Sequence, residues 1–389
     1  MSGSPSTAIG LERPRRSRRI TVLLPVLGLI VVALCGLFLF GLVTAKVGVV
    51  AVAIGVVAAL VPVGLVVAAF LWVDRWEPEP AKLLLLAFVW GACVATITAL
   101  LINSGAEAVG DLLLGSGNGS KVSALVSAPL IEEAAKGAFV LLVLWRRSNE
   151  FDGVVDGIVY AGFSAAGFAF TENIYYFGRA FAEYGFGNGT SAGVLAAFFL
   201  RGVLSPFTHP LFTALTGIGL GFAASTKSRA IRILAPLGGY IAAVCLHALW
   251  NGSALLGGSK TFINVYFLIM VPLFIAVFSL VVLQRRREQR IVAAALPKMA
   301  AARWIAPSEI ELLASLSGRR EWRKQAKRQS GRQAAKAVGA YQASVTELAF
   351  LRRSRLKTDE DRQRQEELLG QLRASRAEAV RLAEPDHPG

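Results

Sequence analysis

The sequence lacks several residue patterns from which common metal sites, disulfide frameworks and repeat folds are built. Only three cysteines occur in 389 residues, all in apolar runs and none in a CxxC pair. This argues against a disulfide framework and against a cysteine-based zinc site. The zinc-peptidase helix motif HExxH is absent, which weakens but does not exclude a zinc enzyme. No internal repeat with a period of about 20 to 50 residues is visible, so a solenoid is not expected.

Charge is scarce as well. Charged residues make up only 17% of the chain, hydrophobic residues make up 54%, and the mean hydropathy is +0.54. Soluble globular proteins average about 25% charged residues. The composition therefore predicts an integral membrane protein with several spans.

The net charge of +15 is concentrated rather than spread along the chain. Arginines cluster before the first apolar run and after the last one: Arg13, Arg15, Arg16, Arg18, Arg19, then Arg285, Arg286, Arg287 and Arg290. By the positive-inside rule this places both termini in the cytoplasm. The alanine-, glycine-, valine- and arginine-rich composition is typical of a GC-rich bacterial genome, so we expect a bacterial cytoplasmic membrane protein.

Apolar runs near the ~20 residues needed to cross a bilayer predict about eight spans. They start near Ile20, Val47, Leu83, Ser123, Gly153, Gly193, Ile231 and Phe262. The predicted fold is an all-α membrane helical bundle. We divide the chain into a basic cytoplasmic segment (1–19), a membrane domain (20–283) and a basic cytoplasmic tail (284–389). The run 193–224 contains Pro206 and Pro210 and is expected to be one broken span, or else two half-helices.

The tail is predicted to form helices from about Pro307 to Lys336 and from Ala340 to Leu382. Its composition favours a solvated helical segment that lies on an anionic lipid surface or binds a cytoplasmic partner. No nucleic-acid-binding motif is present, so no nucleic-acid partner is expected.

Four polar clusters interrupt the predicted spans, and each is a candidate functional site because ionisable groups are costly in a bilayer. The clusters are EEAAK with Glu132, Glu133 and Lys136; TEN with Glu172 and Asn173; THP with His209; and HALWN with His247 and Asn251. By the predicted topology all of them lie near the outer half of the bilayer. The remaining histidine, His387, lies in the tail.

Each cluster taken alone has a structural explanation. Glu132 is four residues from Lys136, a favourable spacing for an intramembrane ion pair, and Asn251 could cap a helix. Together the groups have the chemistry of a hydrolase. A buried carboxylate can deprotonate water, and imidazole and carboxamide groups can stabilise an oxyanion. Zinc is an alternative, with His209, His247 and a glutamate such as Glu172 as ligands.

Five motifs in order resemble the PrsW family of intramembrane proteases, which is related to the CAAX-prenyl protease and bacteriocin-processing superfamily. They are DRWEPEP (74–80), EEAAK, GFAFTENIYY (167–176), THP and HALWN, and the resemblance covers about residues 70 to 255. It implies that Glu132 and Glu133 are the paired catalytic glutamates, and that Glu172, His209, His247 and Asn251 occupy the other motif positions. It also implies cleavage of membrane-anchored substrates, such as anti-sigma factors, near the extracytoplasmic side.

The resemblance leaves open whether the family uses zinc or a glutamate-activated water. We favour Glu133 as the base, because Glu132 has the better spacing for pairing with Lys136.

The stretch 74–80 falls on the cytoplasmic side and is interpreted as a structural or docking loop. Two rival functions remain, a transporter with a mid-membrane polar site and a non-catalytic membrane scaffold.

Overall fold

The computed structural model describes residues 18–76, 78–147, 151, 153–187, 193–353 and 359–383. Within these ranges the regular structure is entirely helical, which confirms the all-α prediction. The residues 1–17 of the basic N-terminal segment, Glu77 of the 74–80 loop and His387 lie outside the described residues.

The membrane-spanning elements follow one another with short connections. They are α1 (Arg18–Val47), α2 (Val49–Val73), α3 (Ala81–Leu114), α4 (119–146), α5 (Val154–Tyr184), α6 (194–204), α7 (Thr208–Ser225), α8 (Arg229–Leu255) and α9 (Gly258–Ala301). Seven segments in the described ranges are long and apolar enough to cross a membrane, with α6 and α7 counted together as one. They match seven of the eight predicted spans.

The remaining predicted span is α4, which carries too much charge to resemble an ordinary membrane helix. The charged residues in its middle, Glu132, Glu133 and Lys136, are buried, whereas Leu141 and Trp145 on the opposite face are exposed. The buried positions recur at intervals of three and four residues, so one helical face points into the bundle. The helix therefore presents apolar side chains outward and keeps its ionisable groups among protein neighbours.

Helix α5 lies at the centre of the bundle, since 83% of its apolar window is buried. It packs against α2 on one side and α7 on another. Gly157 of α5 meets Gly217 of α7, and a Cβ atom on either glycine would overlap the other's carbonyl oxygen. Two helices can approach this closely only where side chains are absent.

The sixth span is broken as predicted. Residues 205–207 form a turn between α6, which ends in a π-helical segment (Phe199–Leu204), and α7. Pro210 falls in the first turn of α7, where the missing N–H group would have no helical partner in any case. The break places His209 at the N-terminal end of a helix in the interior of the bundle.

The tail contains α10 (Leu316–Arg353), which kinks at Gly331, and α11 (Asp359–Ala383). The kink falls before the boundary predicted between Lys336 and Ala340, and the residues at that boundary lie inside α10. The tail is also more folded than a solvated segment, because Leu296, Leu348 and Leu372 form part of a buried core. Trp76, from the loop between α2 and α3, is 3% exposed and belongs to that same core. The tail therefore docks on the 74–80 loop.

Candidate active site

Four helices bring the predicted polar residues together inside the bundle. Helix α4 supplies Glu132, Glu133 and Lys136, α5 supplies Glu172, α7 supplies His209, and α8 supplies His247 and Asn251. The rings of His209 and His247 lie 5.4 Å apart, centre to centre. Residues that are up to 119 positions apart in the chain thus share one site.

Glu133 is the fully buried carboxylate of this cluster. Its Oε1 atom accepts a hydrogen bond from Lys136 Nζ at 2.6 Å and is 3.0 Å from His247 Nδ1. Its Oε2 atom accepts a hydrogen bond from Thr213 Oγ1 at 2.8 Å. Both carboxylate oxygens are therefore occupied, and Glu133 acts as an anchor for three side chains.

Glu132, in contrast, has one carboxylate oxygen that lacks a hydrogen-bond partner among the described residues. Its Oε1 atom is 3.5 Å from the Asn103 amide nitrogen, and that amide is oriented by a 2.6 Å hydrogen bond from Ser127. Its Oε2 atom is buried and has no hydrogen-bond partner among the described residues. Such an atom requires an explanation, because burying an unpaired polar group costs free energy.

The open oxygen of Glu132 faces His247. The distance from Glu132 Oε2 to His247 Nε2 is 3.8 Å, too long for a direct hydrogen bond. Because His247 Nδ1 lies beside the Glu133 carboxylate, it is the nitrogen that donates its proton, which leaves a lone pair on Nε2. Two acceptors at this separation can share one water molecule that donates a hydrogen to each.

His209 is held between opposite charges. Its Nε2 atom is 2.9 Å from Glu172 Oε2, and its Nδ1 atom is 3.3 Å from Lys136 Nζ. The ammonium group can only donate, so Nδ1 accepts and Nε2–H donates to Glu172. Arg201 pairs with the same Glu172 oxygen and donates a second hydrogen bond to Asn173 Oδ1 at 2.7 Å. The result is a continuous polar chain from Arg201 to Glu133.

Asn251 lies one helical turn from His247, as its spacing predicts. Its amide nitrogen donates to the carbonyl of Ala124 in the π-helical segment of α4 at 2.9 Å. It lies inside α8 rather than at the end of that helix, so it is not a helix cap. The second N–H of its amide remains available for a ligand.

A cavity of about 500 Å³ opens over these groups. Its lining includes Glu132, Glu172, Arg201, His209, His247 and Asn251. Glu133 and Lys136 lie behind this lining. The site thus has an outer layer that a substrate can reach and an inner layer that holds it in place.

Three side chains of the cluster come close enough together to be considered as zinc ligands. Glu132, His209 and His247 offer ligand atoms that lie within 4.8 Å of one another. The carboxylate in this set is Glu132 and not the predicted Glu172, which pairs with Arg201 and His209 instead. Zinc needs a free lone pair on each ligand. His209 has neither nitrogen free, and the buried Lys136 ammonium group beside it would repel a cation. As arranged, the donor set does not fit a tetrahedral zinc site.

Sequence reasoning missed three members of the site. Arg201 lies next to the predicted break of the sixth span, and a charge at such a place is itself a signal of a functional site. Thr213 and Asn103 gave no signal, because hydroxyl and amide side chains are common in membrane helices. The expected pairing of Lys136 with Glu132 also differs from the structure. The ammonium group is 2.6 Å from Glu133 and 4.0 Å from Glu132.

By class, this chain is a helical membrane protein whose buried polar cluster has the residue types of a hydrolase. A family model described as PrsW family intramembrane metalloprotease matches residues 79–277, about half of the chain. The chain therefore belongs to the PrsW family and is an intramembrane protease. The match includes all six predicted site residues and excludes α1 and the tail helices.

Two curated relatives agree with the family assignment. Protease PrsW of Oceanobacillus iheyensis is 30% identical over 176 residues, which are 44% of this chain and 70% of the relative. Protease PrsW of Geobacillus kaustophilus is 29% identical over 148 residues, which are 38% of this chain and 57% of the relative. No solved structure matches the chain.

Proposed function

We propose that this protease hydrolyses a peptide bond of membrane-anchored protein substrates, with a water molecule activated by Glu132. The observation that carries the proposal is the Oε2 atom of Glu132, which has no hydrogen-bond partner among the described residues and lies 3.8 Å from His247 Nε2. Both residues line the cavity. Water at this position is within reach of a carboxylate base and is oriented by the imidazole. The base is thus Glu132 rather than Glu133, whose oxygens are both occupied.

The proposed reaction needs only groups that the site contains. Water attacks the carbonyl carbon of the substrate, and its proton passes to Glu132 as the new C–O bond forms. Glu132 then returns this proton to the amide nitrogen as the C–N bond breaks. Asn251, through its second N–H, and the positive charge of Arg201 stabilise the oxyanion, since both line the cavity.

The inner layer is proposed to position this machinery. Glu133 fixes the tautomer and direction of His247, and Thr213 fixes Glu133. Lys136 balances the charge of Glu133 and holds His209 against Glu172. These roles explain why charged residues are kept at full burial in a membrane helix.

Metal content provides a prediction of its own. Because His209 has no free lone pair, the purified protein should contain much less than one zinc per chain, and a chelator should leave its cleavage rate unchanged. Elemental analysis of the purified protein and assays with 1,10-phenanthroline measure the two quantities. One zinc per chain, together with loss of cleavage on chelation and recovery on adding zinc, would contradict the proposed water site.

The topology is a proposal that rests on charge. The arginines after the last span favour a cytoplasmic tail, with both termini on that side of a bacterial cytoplasmic membrane. The site residues then lie in the outer half of the bilayer.

Substrates such as anti-sigma factors, with a single membrane anchor and an extracytoplasmic domain, would present a peptide bond at this depth. The tail, rich in arginine, is proposed to contact anionic lipid or a cytoplasmic partner.

The experiment that tests the function uses the full-length protein in proteoliposomes with a single-span substrate. We expect one cleavage site within or next to the outer half of the substrate's span, mapped by mass spectrometry of both fragments. A transporter would leave the substrate intact and move a solute instead. Intact substrates across a panel of single-span proteins, with correctly folded protein, would contradict the proposal.

A further inference from the structure

An apolar crevice of about 200 Å³ lies between α2, α7 and α9, apart from the cavity of the active site. Aromatic side chains dominate its wall: Phe70, Trp72, Phe207, Phe274 and Phe278. Trp72 and Phe278 are stacked with centroids 6.1 Å apart, and Phe207 and Phe274 are in contact at 5.4 Å. The crevice contains none of the residues assigned above to catalysis.

A positive charge lies at the end of the crevice nearer the tail. The guanidinium group of Arg285 lies over the ring of Trp72 at 3.9 Å. Its Nε atom is buried and has no hydrogen-bond partner among the described residues. The charged groups that act most on Arg285 are Glu288 and a second arginine, Arg75. The guanidinium group as a whole is only half-buried, so an anionic group can approach it, and arginine forms strong charge-assisted hydrogen bonds with phosphate.

The dimensions match one leaflet of a bilayer. Phe274 and Arg285 are eleven residues apart in α9, which corresponds to about 16 Å of helix. Half of a hydrocarbon core of about 30 Å is about 15 Å. An acyl chain in the crevice would therefore place its headgroup at the level of Arg285.

The crevice also touches the segment that carries a catalytic side chain. Its wall includes Phe207, Pro210 and Leu211, which flank His209 on both sides in the chain. This segment is the broken part of the sixth span, where the turn at 205–207 replaces helical hydrogen bonds. A ligand in the crevice would support this turn from the side of α2 and α9.

We propose that the crevice and Arg285 form a binding site for one anionic phospholipid of the tail-side leaflet. An acyl chain fills the aromatic crevice, and the headgroup phosphate accepts from the Arg285 guanidinium. Basic pockets between membrane helices bind anionic headgroups in this way. Lipid is favoured over a peptide because the crevice is lined by apolar side chains and the positive charge of Arg285 lies at headgroup level.

Native mass spectrometry of the full-length protein tests the site directly. The protein is delipidated in detergent and titrated with phosphatidylglycerol or with phosphatidylcholine of the same acyl chains. We expect one phosphatidylglycerol to bind at least tenfold more tightly than phosphatidylcholine. Arg285→Gln should remove this preference, and Val277→Phe, which fills the crevice, should weaken binding of both lipids. Ala69→Phe is a second filling variant in case Val277→Phe does not fold.

The matched control is Arg286→Gln, which removes the same charge from the neighbouring, exposed position of α9. It should keep the wild-type preference. Equal binding of the two lipids to the wild type, or equal loss in the Arg285 and Arg286 variants, would show annular or diffuse electrostatic binding and overturn the site.

An effect on cleavage rests on the proposed function, so it is measured separately. Proteoliposomes with and without phosphatidylglycerol should differ in cleavage rate for the wild type and much less for Arg285→Gln. If the protein cleaves no substrate, the function proposal fails while the binding result stands. If it cleaves substrate and binds no lipid at this site, the lipid proposal fails alone.

Discussion

The two adjacent glutamates of α4 differ in their surroundings more than in their burial. Glu133 makes three contacts with side chains of three helices, whereas Glu132 keeps one oxygen open towards His247. The pair stands out in the sequence, because charged residues are rare in a membrane helix. The sequence could not assign their roles, since Lys136 is within helical reach of both carboxylates and only the fold decides between them.

Removing the charge of Lys136 should destabilise the protein. In Lys136→Met the carboxylate of Glu133 stays buried without its cation, at a cost of about 3 to 5 kcal/mol. Thermal unfolding in detergent, followed by the fraction that remains monodisperse, measures this. The double variant Lys136→Met, Glu133→Gln should recover much of the lost stability. A single variant as stable as the wild type would show that the ion pair is not needed.

Arg201 should affect catalysis more than stability. It is partly exposed but holds Glu172, which in turn holds His209. We expect Arg201→Gln to lower kcat at least tenfold through loss of positioning and oxyanion charge. The control is Arg179→Gln, which breaks the exposed pair with Glu183 and should have little effect. Equal effects of the two variants on kcat would contradict the assignment.

Among the elements, the loop between α2 and α3 has a role that its sequence only partly indicated. The loop was predicted to be structural or docking, and the structure shows both kinds of contact. Glu79 accepts a hydrogen bond from Tyr160 of α5 at 2.5 Å, while its backbone N–H donates to Asp74. Trp76 points the other way into the tail. The sequence could not show the contacts with Tyr160 and with the tail, because these partners lie 81 or more residues away.

The loop should make stability depend on pH. Burial, reinforced by the nearby carboxylate of Asp156, raises the pKa of Glu79 far above its ordinary value of 4.5. Burial likewise raises the pKa of Asp74 to about 7. The folded state therefore holds protons that the unfolded state releases. Stability should be greatest below the unfolded pKa values and fall as the pH rises through neutrality.

Glu79→Gln tests this pH dependence, because glutamine imitates the protonated carboxyl group. Between about pH 5 and pH 8, thermal stability should fall less steeply in Glu79→Gln than in the wild type. Glu107→Gln, at an exposed glutamate outside the loop, should keep the wild-type slope. Identical slopes in all three proteins would show that Glu79 is already ionised in the folded state.

At the scale of the whole molecule, the tail and the membrane domain are joined through α9 and through Trp76. Helix α9 runs without interruption from the bilayer into the tail core, which includes Val292 and Leu296. The spans could be predicted because each carries its own hydropathy signal. The tail core could not, because its apolar residues are sparse in the sequence and become a cluster only when α9, α10 and α11 pack together.

Trp76→Ala should loosen the tail. Deleting a buried indole costs about 3 to 5 kcal/mol when the surroundings cannot collapse, and here it also removes the stacking partner of Arg319. Hydrogen exchange of α10 and α11 in the full-length protein should become faster. Trp145→Ala, at a position that is 71% exposed, should leave it unchanged. Unchanged exchange in Trp76→Ala would mean that the loop does not hold the tail.

In the proposed reaction, Glu132 is the base that activates water. The most direct test compares cleavage of a single-span substrate by the wild type, Glu132→Gln and Glu107→Gln in proteoliposomes. Glu107 lines the same cavity but is exposed and has no role in the proposed reaction. We predict that Glu132→Gln lowers kcat at least 100-fold while the protein stays folded, and that Glu107→Gln cleaves at nearly the wild-type rate. Cleavage by folded Glu132→Gln at a rate close to the wild type would contradict the central claim.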